Sequence, residues 1–105
     1  MSTLIIPFTE DSFESAFFSF WNTHAGGMLQ SVIDQKDFEG KKGQMTILYP
    51  NTAHSSRIIL VGLGKTTGLS VRTWKQSLGA AVIASQQKKS VHLGVVIPEE
   101  VRTVL

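Results

Sequence analysis

Gly64-Lys65-Thr66 is the first group whose residue types invite chemistry, because phosphate-binding loops cradle oxygens with glycine amides and reach them with a lysine. The spacing refuses that role. A P-loop needs a glycine five positions before Gly64, and Ile59 stands there, inside an apolar run. Gly62-Leu63-Gly64 also opens a dinucleotide fingerprint, but the third glycine would fall at Thr67, with Gly68 one place late. What remains for these glycines is to turn the chain sharply off a strand end.

The other reactive types are scattered. His24, His54 and His92 have no histidine partner at i+4 and no carboxylate in metal-motif register. Cysteine is absent, which excludes disulfides and thiolate metal sites and fits a reducing compartment. No serine lies in a Gly-x-Ser-x-Gly elbow. Asp11 and Glu14 have the types of a capping box, an acidic cap with a glutamate three residues on. The sequence therefore nominates no catalytic residue, no cofactor-binding residue and no metal ligand.

The elements that carry these residues read as an α/β pattern. Thr3–Phe8 is a short β-branched strand with Pro7 near its end. A helix is expected from the Asp11 cap, with Phe13, Ala16, Phe17, Phe20 and Trp21 at helical spacing. Ala25-Gly26-Gly27 interrupts it at about 1 kcal/mol per interior glycine; the helix either restarts before Met28, Leu29, Val32 and Ile33 or, the reading favoured, runs on. Core packing is the first reading of Phe13, Phe17, Phe18, Phe20 and Trp21, but five large rings within nine residues exceed one helical stripe, and Phe18 is expected to project off the buried face, where a partner would cover it.

A polar turn from Asp37 to Gly43 leads into a strand from Met45 to Tyr49, and a second strand runs from Arg57 to Val61. The link between them is too short for a crossover helix, so the two strands either pair as an antiparallel hairpin or lie in different parts of the sheet, which is expected to be mixed. Ser70 is a candidate cap for a helix burying Val71, Trp74, Leu78, Ala81, Val82 and Ser85, with Lys88 and Lys89 in its last turn. Ser90 to Ile97 reads as a strand covered on both faces, returning parallel to Arg57–Val61. After Pro98 the tail looks like the opening of a helix.

A chain of 105 residues suits one domain with a real core, and 42% hydrophobic against 17% charged residues is globular composition. The start carries no basic leader region, and no segment approaches the about 18 apolar residues of a membrane span, so a cytoplasmic setting is expected. Net charge is +2, unevenly placed: residues 1–40 hold six acids against Lys36 alone, whereas residues 41–105 hold nine bases against Glu99 and Glu100. Such asymmetry sometimes marks a nucleic-acid face and more often ordinary solvated surface.

Taken together, Ala25-Gly-Gly-Met-Leu29, the Asp37-Phe-Glu-Gly-Lys41 turn with Gly43, Arg57-Ile-Ile-Leu-Val-Gly-Leu-Gly-Lys65 and Leu78-Gly-Ala-Ala81 resemble the N-terminal domain of the leucine aminopeptidase (cytosol aminopeptidase) family of metallopeptidases. The resemblance runs from about Trp21 to Pro98, and Val-Gly-Leu-Gly-Lys after an apolar strand is its most specific element. It implies an α/β domain with a mixed sheet flanked by helices, macro-domain-like, preceding a separate catalytic domain. There the family keeps its two divalent metal ions, zinc or manganese, on an acidic run Asn-Thr-Asp-Ala-Glu-Gly-Arg that is nowhere in these residues. Water attack on an N-terminal peptide bond is then not expected of this chain alone.

The family usually has more sequence before the first helix and a further strand and helix after Pro98. Residues 1–105 are thus expected to be a single non-catalytic domain incomplete at its C-terminal end, with exposed sheet edges that favour self-association. The resemblance implies as partners the chain's own catalytic domain and neighbouring subunits of the family hexamer, with roles in assembly and active-site access. Two other functions stay open. One is a macro-like ADP-ribose or nucleotide module at the Gly62–Gly68 turn. The other is DNA binding through Lys41, Lys42, Arg72, Lys75, Lys88 and Lys89, which the small net charge disfavours.

Overall fold

Side-chain alternation along two strands decides the layers. Ile6 and Phe8 of β1 (Thr3–Phe8) share one apolar cluster with Ile58 and Leu60 of β3 (Arg57–Gly62), while Ile5, Ile59 and Val61 fall in another. Successive strand residues point to opposite faces, so both faces of these strands are apolar and each needs a helical cover. The computed structural model, which describes residues 2–50, 57–87 and 92–102, supplies both. Helices α1 (Ala16–His24) and α2 (Met28–Asp34) close the first face through Phe18, Ala25 and Leu29; α3 (Val71–Gln87) closes the second through Ala81.

The sheet has the order β2-β3-β1-β4, with β2 at Met45–Leu48 and β4 at Leu93–Val95. β1 runs parallel to both β3 and β4, and β2 is antiparallel to β3, with Met45 opposite Val61 and Leu48 opposite Ile58. The sheet is mixed, as the short β2–β3 link requires. A final turn, α4 (Glu99–Arg102), tucks Val101 against Leu63 and Trp74.

Four local expectations are corrected. First, Asp11 does not cap α1. Ser15 does, its hydroxyl oxygen accepting the Phe18 N–H at 3.2 Å, so the helix begins at Ala16. Second, the helix does not run through the glycine pair. The Gly27 N–H reaches Asn22 O at 2.8 Å and the Gly26 N–H reaches Thr23 O at 3.0 Å, a Schellman stop whose left-handed residue is Gly26, φ 69°. Gly27, also left-handed and lacking a side chain, then caps α2. The side chain of Asn22 compensates by accepting the Gln30 N–H at 2.8 Å.

Third, Phe18 points inward. It is buried in a ring cluster with Phe8 and Phe13 at centroid distances of 5.6 Å, and Phe20 is the ring left 63% exposed. Displacement of the helix start to Ala16 explains the rotated face. Fourth, the last strand is not covered on both faces. β4 is three residues long, lies at the sheet edge beside β1 and leaves Leu93, Val95 and Ile97 exposed, so the parallel return passes over β1 rather than docking on β3. Lys88, Lys89 and His54 lie outside the described residues.

Candidate functional site

The two glycine turns that dominate the sequence meet at one place, the C-terminal ends of β1 and β3. Leu63 N–H donates to Phe8 O at 3.0 Å and Glu10 N–H to Gly64 O at 2.9 Å, continuing the parallel ladder past the strands. The Phe38–Gly43 turn folds back onto it. Gly64 N–H donates to Gly40 O at 2.8 Å, and Gly62 N–H to Gln44 O at 2.8 Å. Gln44 also holds the turn closed, its Oε1 accepting the Glu39 N–H at 2.9 Å and the Lys41 N–H at 3.2 Å.

The approach is close enough to require glycine at two positions. A Cβ on Gly62 would lie 2.8 Å from the Gly40 carbonyl carbon and nearer still to the carbonyl oxygen of Lys41. A Cβ on Gly40, φ 77°, would meet Thr9 O at 3.0 Å and the Phe13 ring at 3.1 Å. Open α/β sheets hold ligands in the crevice beyond the carboxyl ends of their strands. Here the chain's own turn occupies that position.

The third glycine-rich piece is occupied too. Thr66 opens a single 3-10 turn, and its N–H, which a phosphate oxygen would want, donates to Asp11 Oδ2 at 2.9 Å. The Thr66 and Thr9 hydroxyls lie 3.2 Å apart, within hydrogen-bond reach. The bond from the Thr66 amide, then that from its side chain, hold the Asp11 carboxyl below the usual carboxylate value; burial opposes them, and the charge of Lys65 adds least. An anion at this turn would have to displace a carboxylate already in place.

The remaining candidates are dispersed. His24 stacks edge-on against Trp21 at 5.4 Å on α1, whereas His92 precedes β4. Among the described residues no group of three His, Cys, Asp or Glu is placed to hold a metal ion. Glu14 is exposed near the start of α1. Lys41, Lys42, Lys65, Arg72 and Lys75 are all exposed, with Lys41 3.8 Å from Glu39. Ser70 caps α3 as expected, accepting the Thr73 N–H at 3.2 Å. A cavity of about 100 Å³ lies between β2, β3 and α3, lined by Met45, Val61, Ala80, Ser77 and Lys42.

Sequence reasoning found the glycines and missed what they serve. Gln44, Asn22 and the Asp11–Thr66 link carry no local signal, because each acts on a residue that only the fold or the turn brings near. The one readable clue was the recurrence of glycine at both turns, since close backbone approach is a standing reason for glycine.

The N-terminal domain model of the cytosol aminopeptidase family matches residues 5–104. Leucine aminopeptidase 2, chloroplastic, of Arabidopsis thaliana is 41% identical over 73 residues, 70% of this chain and 12% of that protein. Leucine aminopeptidase 1 of the same plant is 36% identical over 90 residues, covering 85% of this chain and 17% of that one. Among solved structures, a lysine-to-glutamate mutant of tomato leucine aminopeptidase superposes with a TM-score of 0.74 over 90% of this chain and 19% of its own, at 24% identity. The chain thus spans less than a fifth of the relatives it matches.

Proposed function

The chain belongs to the cytosol aminopeptidase family, as its N-terminal domain, and from that premise we propose that it is a non-catalytic scaffold for a metal-dependent aminopeptidase. The parent enzyme would release N-terminal amino acids from peptides in a separate catalytic domain holding two divalent ions, zinc or manganese. This domain's contribution would be assembly and control of access to that site, with the catalytic domain and neighbouring subunits of a hexamer as its partners. A cytoplasmic setting is supported by the cytosol aminopeptidase names among the relatives, although two Arabidopsis relatives are chloroplastic. No described helix is long and apolar enough to cross a membrane.

One observation carries the reading beyond family membership: the strand-end crevice is filled by the Gly40–Lys41 turn and by Asp11, which leaves it built for support rather than for ligand. The described residues bring no three His, Cys, Asp or Glu side chains together, so they do not fit a dinuclear metal centre. The same filling weighs against ADP-ribose at the Gly62–Gly68 turn. For DNA, the net charge of only +2 weighs against a phosphate-binding face built on Lys41, Lys42, Arg72 and Lys75.

The test is hydrolysis of leucine p-nitroanilide with manganese or zinc supplied, by the purified chain alone and with a separately expressed catalytic domain of a plant relative. No turnover by the chain alone, with co-elution of the two domains, is the expected result. Turnover that follows the purified chain through successive columns would overturn the proposal, as would failure of the domains to associate. Calorimetric binding of ADP-ribose would redirect it to the nucleotide reading.

A further inference from the structure

The cavity of about 100 Å³ between β2, β3 and α3 is walled entirely by residues lying between Lys42 and Ala80, remote in sequence from both ends of the chain. Main-chain pairing fixes two of its walls. Met45 stands opposite Val61, and the Gly62 N–H donates to Gln44 O at 2.8 Å, which holds β2 on β3. The third wall is α3, where the Ser77 hydroxyl reaches the Gly62 carbonyl oxygen at 3.5 Å. Ser77 and Ala80, three residues apart on one side of that helix, are both small, so the space beside Met45 and Val61 stays open. Its lining is mainly apolar, and a cavity with few polar partners holds water poorly.

Charge at the mouth limits what can enter. Residues 40–98 contain no Asp or Glu against eight Lys and Arg, so no wall of the cavity carries an acid. Lys42 and Gln76 are its exposed polar side chains, and Lys42 lies in no ion pair among the described residues. Glu39, the acid nearest to it in sequence, is instead 3.8 Å from Lys41. We propose that the cavity binds a short aliphatic monocarboxylate, its tail against Met45, Val61 and Ala80 and its carboxylate at the mouth beside Lys42 and Gln76. An amine or an amino acid is disfavoured, because its ammonium group would meet cations and no carboxylate. Volume sets the tail. An apolar cavity of about 150 Å³ admits benzene, so about 100 Å³ suits roughly four carbons. The site is distinct from the strand-end crevice that the Gly40–Lys41 turn fills, and it stands whether or not the aminopeptidase reading does.

Methyl and amide NMR of the full chain, titrated in turn with pentanoate, pentanamide and pentylamine, tests this. The expected result is saturable shifts at Met45, Val61 and Ala80 with pentanoate, at a Kd on the order of 1 mM, weaker binding of the amide and none of the amine. Ala80→Leu fills the space and is expected to abolish the shifts with the thermal midpoint kept or raised. Should that variant not fold, the exposed Lys42→Gln decides. It is expected to weaken pentanoate about threefold to fivefold, the scale of an exposed ion pair, and to leave pentanamide unchanged, which a merely structural change would not do. Absence of saturable shifts up to about 50 mM pentanoate would overturn the proposal. So would equal binding of all three compounds, Ala80→Leu or Lys42→Gln binding like the parent, or pentanoate displaced by added catalytic domain, which would make the cavity a seat for a protein side chain.

Discussion

The carbonyl oxygen of Lys41 occupies the space that a side chain on Gly62 would need. A turn between two elements and the end of a core strand are thereby packed backbone to backbone, and the two most distinctive stretches of the sequence become halves of one contact.

Gly62→Ala should cost about 3 kcal/mol or more, because the obstructing atoms are main chain on both sides and cannot rotate away. Gly68→Ala is the matched control, since a Cβ there meets nothing within 4 Å. Urea unfolding followed by circular dichroism measures both. Equal midpoints for the two variants would remove the interlock as a source of stability.

Asn22→Ala should destabilise by about 1 kcal/mol, the usual loss when a helix N-terminus gives up its capping acceptor. The effect is expected to concentrate in α2, whose Gln30 N–H loses its partner. Amide exchange resolved by residue checks this, with faster exchange at Gln30 than in α3.

Lys36 stands in the left-handed conformation, φ 60°, at the end of α2, where its N–H bonds to Ile33 O and the Asp37 N–H bonds to Val32 O. That is a Schellman stop with a non-glycine residue at the position glycine prefers. Lys36→Gly should therefore raise stability by about 0.5–1 kcal/mol, and a fall in the thermal midpoint would contradict the account.

The Asp11 carboxylate is held below its ordinary value by the Thr66 amide. A depressed carboxyl contributes stability that is present above the unfolded value and lost as pH falls through the folded one. Asp11→Asn should thus be less stable than the parent near neutrality, with the difference closing in acid below the usual carboxylate range. A gap that stays constant down to acid would show that charge plays no part. Since Asp11 is exposed, the effect is expected to be small and to shrink with added salt.

Phe18→Ser should destabilise by about 3 kcal/mol or more, through loss of the ring packed on Phe8 and Phe13, whereas Phe20→Ser should stay within about 0.5 kcal/mol. Parallel denaturant titrations decide it. If Phe20→Ser proved the costlier, the described face of α1 would be wrong.

Much of the fold was legible because strands and helices announce themselves by period. β1, the β2–β3 pair, α3 with its Ser70 cap and the closing turn at Glu99 all follow from local pattern and turn residues. What failed was position rather than type. Nothing in Ser90–Ile97 says that an apolar strand will end at a rim, because neighbour order is set by where the whole crossover lands. The start of α1 was misjudged because Asp11 is drawn to Thr66, a residue 55 places away. The junction at Gly62 was legible as glycine and illegible as contact, since the Lys41 carbonyl that demands it belongs to a separate turn.

β1 begins at the third residue, yet it lies between β3 and β4 in the finished sheet. β1 must therefore wait for partners that begin at Arg57 and Leu93, both far later in the chain. Such long sequence separations slow folding, because closing the loops precedes any gain from the contacts. During that interval Leu4-Ile-Ile6 would remain uncovered, an exposed apolar stretch of the sort chaperones hold.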